Sequence, residues 1–367
     1  MLSRIAESLY WIGRYVERAE DTARITDVNY HHIVGMGSSP DAEARRARHW
    51  EALIAIVGDE HRFHQAYGEA TEESVPAYLT FDTTNPNSII SCIARARELA
   101  RTMRHQIASE MWEGVNRFHL DLQRWHGHEL NPVGMENAHL FYRSVIEFSH
   151  FFQGLTDSTM PREEGWHFLQ AGKFLERAEK TARALDVKYH LLIADVAPHA
   201  PMSGAAFETA AEAIAEEVPG EWHQWQAVLR SLSAYEAYYK LYRSAVEPRE
   251  VIEMLTFSPV FPRSIRFSID QVVEALDRIA TYRAFDLEAR GHGGVGPVAA
   301  LPLTGGEAER DAGRLRSKLA YGTVEEVFDA GLHAYLVEVQ RACYRLGDRL
   351  QTQYFLPRAL RLEEVVA

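Results

Sequence analysis

An all-α fold is predicted by three features of the 367-residue sequence. Apolar residues recur at spacings of three and four over long segments, the period of one helix face. No segment shows the strict alternation of a half-buried strand. Residues Gly13 to His31 also recur without a gap at Gly172 to His190, with 12 identities in 19 positions. Such self-similarity predicts a tandem duplication of a multi-helix unit packed as a helical bundle.

The elements follow in order. Ile5, Leu9, Ile12, Val16, Ala19, Ala23 and Thr26 hold one apolar seam through a first helix from Leu2 to Gly35, which Gly35-Met36-Gly37-Ser38-Ser39-Pro40 ends. A second helix is expected from Asp41 to Tyr67, followed by a short helical turn. Asn85-Pro86-Asn87-Ser88 then opens one very long helix with apolar positions from Ile89 to Trp125, closed by Gly127 and Asn131-Pro132. Proline suits a first helical turn, where its missing N–H would be unpaired anyway. A connecting helix runs from Met135 to Gly154, and Thr159-Met160-Pro161 leads into the second half.

In that half Trp225 matches Trp50, and Leu255-Thr256-Phe257, Pro262, Ser264 and Ile265 match Leu79-Thr80-Phe81, Pro86, Ser88 and Ile89. Residues 1–155 are therefore expected to form a first repeat with its connecting helix, and 156–367 a second. A Gly/Pro-rich insertion at about 286–310, containing Gly291-His292-Gly293-Gly294-Val295-Gly296, interrupts the second and reads as a surface loop. Phosphate-cradling loops follow a strand, whereas a helix precedes this one.

A formal charge of −13 argues against affinity for nucleic acid or anionic membranes, which need a net basic face. Cys92 and Cys343 are too far apart in sequence to suggest a disulfide framework or a metal-type spacing, which fits a reducing compartment. Glu7, Arg14 and Glu17 interrupt the first apolar run, and no stretch approaches the ~20 apolar residues of a membrane span. A cytoplasmic protein is expected, with self-association left open.

At 100° per residue, Gly13, Glu17, Glu20, Arg24, Asp27 and His31 share one helix face, and Gly172, Glu176, Glu179, Arg183, Asp186 and His190 share its counterpart. Arg14, Arg18 and Asp21 are expected to point away, and the changes of Arg14 to Lys173 and Asp21 to Lys180 read as surface drift. Two readings of the stripe stand. In one it is a structural network in which Arg24 bonds Glu17 and Glu20 while His31 reaches Asp27. In the other, two facing stripes line a polar pocket where a carboxylate acts as general base.

Glu136-x-x-His139, Glu147-x-x-His150 and Glu164-x-x-His167 have the Glu/His spacing of di-iron bundles. Three matches among 17 histidines are unremarkable, so no metal or other cofactor is expected. Arg95, Arg97, Arg101 and Arg104 form a basic ridge expected to pair with acidic helices. There is no nucleophile elbow, Walker-type loop or His-Glu-x-x-His.

The opening Met1-Leu2-Ser3-Arg4-Ile5-Ala6-Glu7-Ser8-Leu9-Tyr10-Trp11-Ile12-Gly13-Arg14-Tyr15-Val16-Glu17-Arg18-Ala19-Glu20 closely resembles the bacterial alpha-E family, helical proteins named for a Glu-Arg motif. Leu79-Thr80-Phe81-Asp82, Arg97-Glu98-x-Ala100-Arg101, Ser109-Glu110-Met111-Trp112-Glu113 and Glu164-Gly165-Trp166-x-Phe168-Leu169 extend the resemblance over essentially the whole chain. It places Arg18 and Arg177 in the motif beside Glu17 and Glu176. It implies a domain of unknown function that works with a circularly permuted ATP-grasp ligase and a transglutaminase-like cysteine protease. From it follows the expected role: a helical partner or scaffold in an amide-bond-forming or modifying system. The alternative is an enzyme whose Glu/Arg-lined pocket takes part in amide transfer or cleavage. The resemblance supplies no catalytic residues, and the glycine-rich insertion departs from the shared pattern.

Overall fold

The computed structural model describes residues 3–34, 40–127, 135–196, 222–290 and 306–356. Among them every regular element is helical. In chain order these are α1 (Ser3–Val34), α2 (Pro40–Val57), α3 (Glu60–Tyr67), α4 (Ser74–Thr80), α5 (Ile89–Thr102), α6 (Ser109–Gly127), α7 (Met135–Thr159) and α8 (Glu164–Val196). They continue as α9 (Trp222–Ser231), α10 (Tyr235–Tyr242), α11 (Pro248–Phe257), α12 (Ile265–Arg290), α13 (Glu307–Tyr321), α14 (Val324–Ala330) and α15 (Leu332–Leu350), which a π-helical turn extends over Gln351–Phe355. The expected insertion overlaps the end of α12 and the start of α13; residues 291–305, with the glycine run, lie outside the described residues.

The long helices α1 and α8 cross at the centre. On α1 lie α5 and α7; on α8 lie α12 and α15. Helix α2 packs on α8 as well as on α1, and α9 on α1 as well as on α8, so each half covers part of the other's central helix. One hydrophobic core, from Ala6 to Phe355, runs through both halves. The expected seam is inside it: Leu9, Ile12, Val16, Ala19 and Ala23 are all buried.

At the crossing, Gly13 lies against the backbone of Leu169 and Gly172 against that of Tyr10. Without a side chain at either position, the two backbones approach closely. The two contacts exchange when each residue is replaced by its aligned position in the other segment.

Local sequence logic holds at the next helix starts. Ser88 caps α5 by accepting the Ser91 N–H at 3.3 Å, and the aligned Ser264 accepts the Phe267 N–H at 3.0 Å at the head of α12. Two expected helices are each divided. Gly58, with φ 79°, ends α2, and the Arg183 guanidinium occupies the space where a β-carbon would stand. The helix expected from Ile89 to Trp125 breaks between Thr102 and Ser109. Met103, Ile107 and Met111 are buried through the break, so the apolar rhythm continues although the helix does not.

Candidate functional site

The charges shared by the two aligned segments meet at the α1/α8 crossing. Arg177 grips Glu17 through two bonds, Nε to Oε1 at 2.5 Å and Nη2 to Oε2 at 2.8 Å. Reciprocally, Arg18 grips Glu176, Nε to Oε1 at 2.7 Å and Nη2 to Oε2 at 2.9 Å. The Glu-Arg dipeptide of each segment is thus bonded, fork to fork, to that of the other.

Further groups complete each end. Arg14 donates to Glu176 at 2.6 Å and to Glu179 at 2.9 Å. Glu20 accepts from Arg24 at 2.8 Å, from the Ser149 hydroxyl at 2.7 Å and from Arg263. Arg263 also reaches Asp21 at 2.7 Å and Glu17 at 3.4 Å, and Gln153 donates to Glu17 at 3.1 Å. Glu17, Glu20 and Glu176 have no exposed surface.

Two expectations are corrected. Arg14, Arg18 and Asp21 do not face solvent; they are inside the network. Lys173 and Lys180, expected at the surface, are buried too. The physical reason is that neighbouring helices cover α1 and α8 at the crossing on more than the apolar seam, so the face expected to be outward is enclosed there. Arg24 pairs with Glu20, while Glu17 is held by Arg177 across the interface rather than by Arg24.

The electrostatics follow from burial. Desolvation alone would raise the Glu176 carboxyl, but Arg14 and Arg18 hold it far below the usual carboxylate range. Glu20 is likewise held low against burial, by Arg263, His150 and Arg24. Asp21 goes the other way: burial and the neighbouring Glu17 push it up to about 7 despite Arg263. Burial, aided by Arg177, lowers the Lys173 ammonium to about 8. Lys180, lowered by burial, donates to the Val57 carbonyl at 3.4 Å, at the negative end of α2. Burial pushes Cys92 up to about 11 and Cys343 higher still, so neither thiol is activated.

A pH dependence follows. Because the folded-state pKa values of Glu20 and Glu176 are depressed, their stabilisation is present above the unfolded value near 4.5 and is lost as pH falls through the folded values. Melting temperatures should therefore drop steeply below about pH 4.5, and Glu176→Gln should flatten that acid limb. Calorimetric scans of both proteins between pH 7 and pH 3 check this; parallel acid limbs would exclude Glu176 as a source.

Beyond the crossing the stripe continues to paired outposts. Arg24 meets His150 at 2.9 Å, and Arg183 meets Tyr344 in the other half. His139 on α7 lies 3.0 Å from both oxygens of Asp27, and His333 on α15 lies 2.8 Å from Asp186, which Gln340 also contacts at 3.3 Å. His31 stands 3.5 Å from Asp27. The His190 side chain lies outside the described residues, as does that of Glu136.

Among the described residues, those of the Glu-x-x-His pairs do not converge. Glu147 forms a surface pair with Arg143, His150 joins Glu20 and Arg24, and His167 is packed beside Trp166 and Tyr282. Glu164 is buried. Of these residues, only His139 joins a group of three possible metal ligands among the described residues, together with Asp27 and His31. The basic ridge is spent locally: Arg101 pairs with Glu98, Arg97 donates to Asn116, and Arg104 lies over Trp112.

Sequence reasoning missed Arg14, Asp21, Lys173, Lys180, Arg263, Ser149 and Gln153. A signal existed for one pair, since both segments keep a cation at positions 14 and 173. Among the described residues, a space of about 90 Å³ lies at the edge of the stripe, beside Tyr10, Arg14 and Tyr344. A groove of about 700 Å³ lies elsewhere among the described residues, between α6 and α7. No helix among the described residues is long and apolar enough to cross a membrane.

The chain is 24% identical to an uncharacterised protein of Mycobacterium bovis over 47% of its length, and equally to one of Mycobacterium tuberculosis strain CDC 1551. The match spans only 21% of each relative. No solved structure matches the chain. A family model described as a predicted alpha-helical domain with a conserved ER motif matches residues 1–355, a span that includes the Glu17-Arg18 and Glu176-Arg177 dipeptides. The chain belongs to that family, Alpha-E.

Proposed function

We propose that this chain is a non-catalytic helical partner in the cytoplasm, a scaffold for an ATP-grasp ligase that forms or modifies amide bonds. One observation carries the reading: the Glu-Arg stripe is consumed internally. Glu17, Glu20 and Glu176 are each bonded to two or more guanidinium groups and have no exposed surface, so none is placed to take a proton from a substrate. Such a network fixes the register of two helices. The reciprocal contacts of the crossing support descent from a duplicated unit, with 1–155 and 156–367 as its halves sharing one core. In the mycobacterial relatives the matching segment is about a fifth of a much longer chain, which fits a body that works beside other domains.

The test is affinity capture of the tagged chain from its native cytoplasm, with partners identified by mass spectrometry. Wild type is expected to recover an ATP-grasp protein, and a folded Arg24→Gln/Arg183→Gln variant to recover it equally, because both arginines are turned inward. Wild type recovering no ATP-grasp protein would end the partner reading; loss in the variant alone would move the docking surface to the edge of the stripe.

A further inference from the structure

We propose that Asp27, His31 and His139 form a binding site for a divalent transition-metal ion of the zinc class, tying α1 to α7. Asp27 and His31 stand one turn apart on α1, the i, i+4 spacing that puts two side chains on one face. His139 comes from α7, which packs against that face. The carboxylate is buried, whereas the two imidazoles are about half-exposed, so an ion can enter from solvent and keep a coordination position open.

The three ligand atoms are close enough together to share one ion, and one of their contacts is long for a hydrogen bond. His139 Nδ1 lies 3.0 Å from the Asp27 oxygens, His31 Nε2 lies 3.5 Å from one of them, and all three ligand atoms fall within 4.8 Å of one another. At 3.5 Å the His31 contact is beyond the usual range of an N–H···O bond. Ligands bound at roughly 2.0–2.1 Å to one ion stand about 3.0–3.4 Å apart along the edges of its coordination shell. Small ring rotations of half-exposed histidines bring the set to that geometry. Two imidazoles and one carboxylate suit zinc, iron or cobalt, whereas calcium and magnesium favour all-oxygen shells.

The other half repeats the histidine–carboxylate pair. Asp186 is followed four residues later by His190, and His333 approaches Asp186 from α15 as His139 approaches Asp27 from α7. A histidine–carboxylate pair between a central helix and its neighbour thus occurs twice, and in the first half a second imidazole completes three ligands. The inference is independent of any ATP-grasp partner.

Cobalt(II) is the probe, because four-coordinate cobalt absorbs strongly in the visible. Metal-stripped full-length chain should develop those bands on titration with cobalt(II) chloride, and zinc(II) chloride should bleach them. Asp27→Asn and His139→Ala should each weaken the site at least about tenfold, as loss of one of three ligands predicts. His105→Ala, at an exposed histidine elsewhere, should leave it unchanged. Circular dichroism of the variants separates lost ligation from lost fold, and half-exposed His139 tolerates truncation without a core cavity. Absence of the bands in wild type, or wild-type titration by folded Asp27→Asn and His139→Ala, would overturn the site.

Discussion

Replacing Arg263 with methionine is expected to lower unfolding stability by about 3–5 kcal/mol, the cost of removing one partner from a buried ionic cluster. Arg263 reaches Glu17, Glu20 and Asp21 on α1 from just before α12, and it is buried. Glu17 retains Arg177 and Glu20 retains Arg24 in the variant. Asp21 has no such reserve, since its Oδ2 is buried without a partner and its Oδ1 bonds Arg263. The loss should therefore concentrate on Asp21, and Arg263→Met/Asp21→Asn should recover part of it. The pH sign is defined. A carboxyl raised to about 7 binds protons more tightly when folded, so its contribution falls as pH rises from 3.8 towards 7. Removing Arg263 raises that carboxyl further, so the deficit should be larger at pH 8 than at pH 6. Urea melts of wild type and the two variants at both values check this. Equal stability of Arg263→Met and wild type would mean that the cluster does not hold the crossing together.

The helical class was legible because a 3.6-residue rhythm is an intrinsic property of each segment, independent of neighbours. The same rhythm hid the break between α5 and α6. Met103, Ile107 and Met111 keep helical spacing through the turn, and burial rewards spacing whether or not the backbone bonds continue. Gly58 was a visible punctuation mark, yet its role depends on Arg183, 125 positions away on α8. Local sequence carries the glycine but not the guanidinium that passes over it.

The stripe itself was legible from repetition; its partners were not. Geometry on a single helix assigns faces relative to one apolar seam, which holds for a helix with one wet side. Neither α1 nor α8 has one over the crossing, so residues on the supposed outer face became the second ring of the network. Lys173 for Arg14 preserved a cation under similar burial. Lys180 for Asp21 reversed a charge because their surroundings differ: Asp21 meets Arg263, whereas Lys180 meets the carbonyl end of α2. Arg263 lies 246 positions from Glu17, and only the assembled fold joins them.

Gly13→Ala and Gly172→Ala test whether packing or charge sets that crossing. A β-carbon at position 13 would run into the Leu169 carbonyl, and one at 172 into the Tyr10 carbonyl. Neither obstacle is a side chain that can rotate aside; both are backbone within central helices, so the helices must separate. Overpacking a fitted interior costs about 1–3 kcal/mol, more where backbone must shift, and each variant is expected to lose at least about 3 kcal/mol. Separation would also lengthen the Arg177–Glu17 and Arg18–Glu176 bonds, since all four residues lie within one or two turns of the glycines. Loss from packing should thus appear together with a weaker acid dependence of stability. Gly154→Ala is the control, for Gly154 is inside α7 with nothing within 4 Å of a new β-carbon. Alanine's better helix propensity should stabilise that variant by up to about 1 kcal/mol. Thermal unfolding of the three proteins decides the matter. If Gly13→Ala and Gly172→Ala melt with wild type, the helices do not approach at these glycines, and the reciprocal clasp needs another geometry.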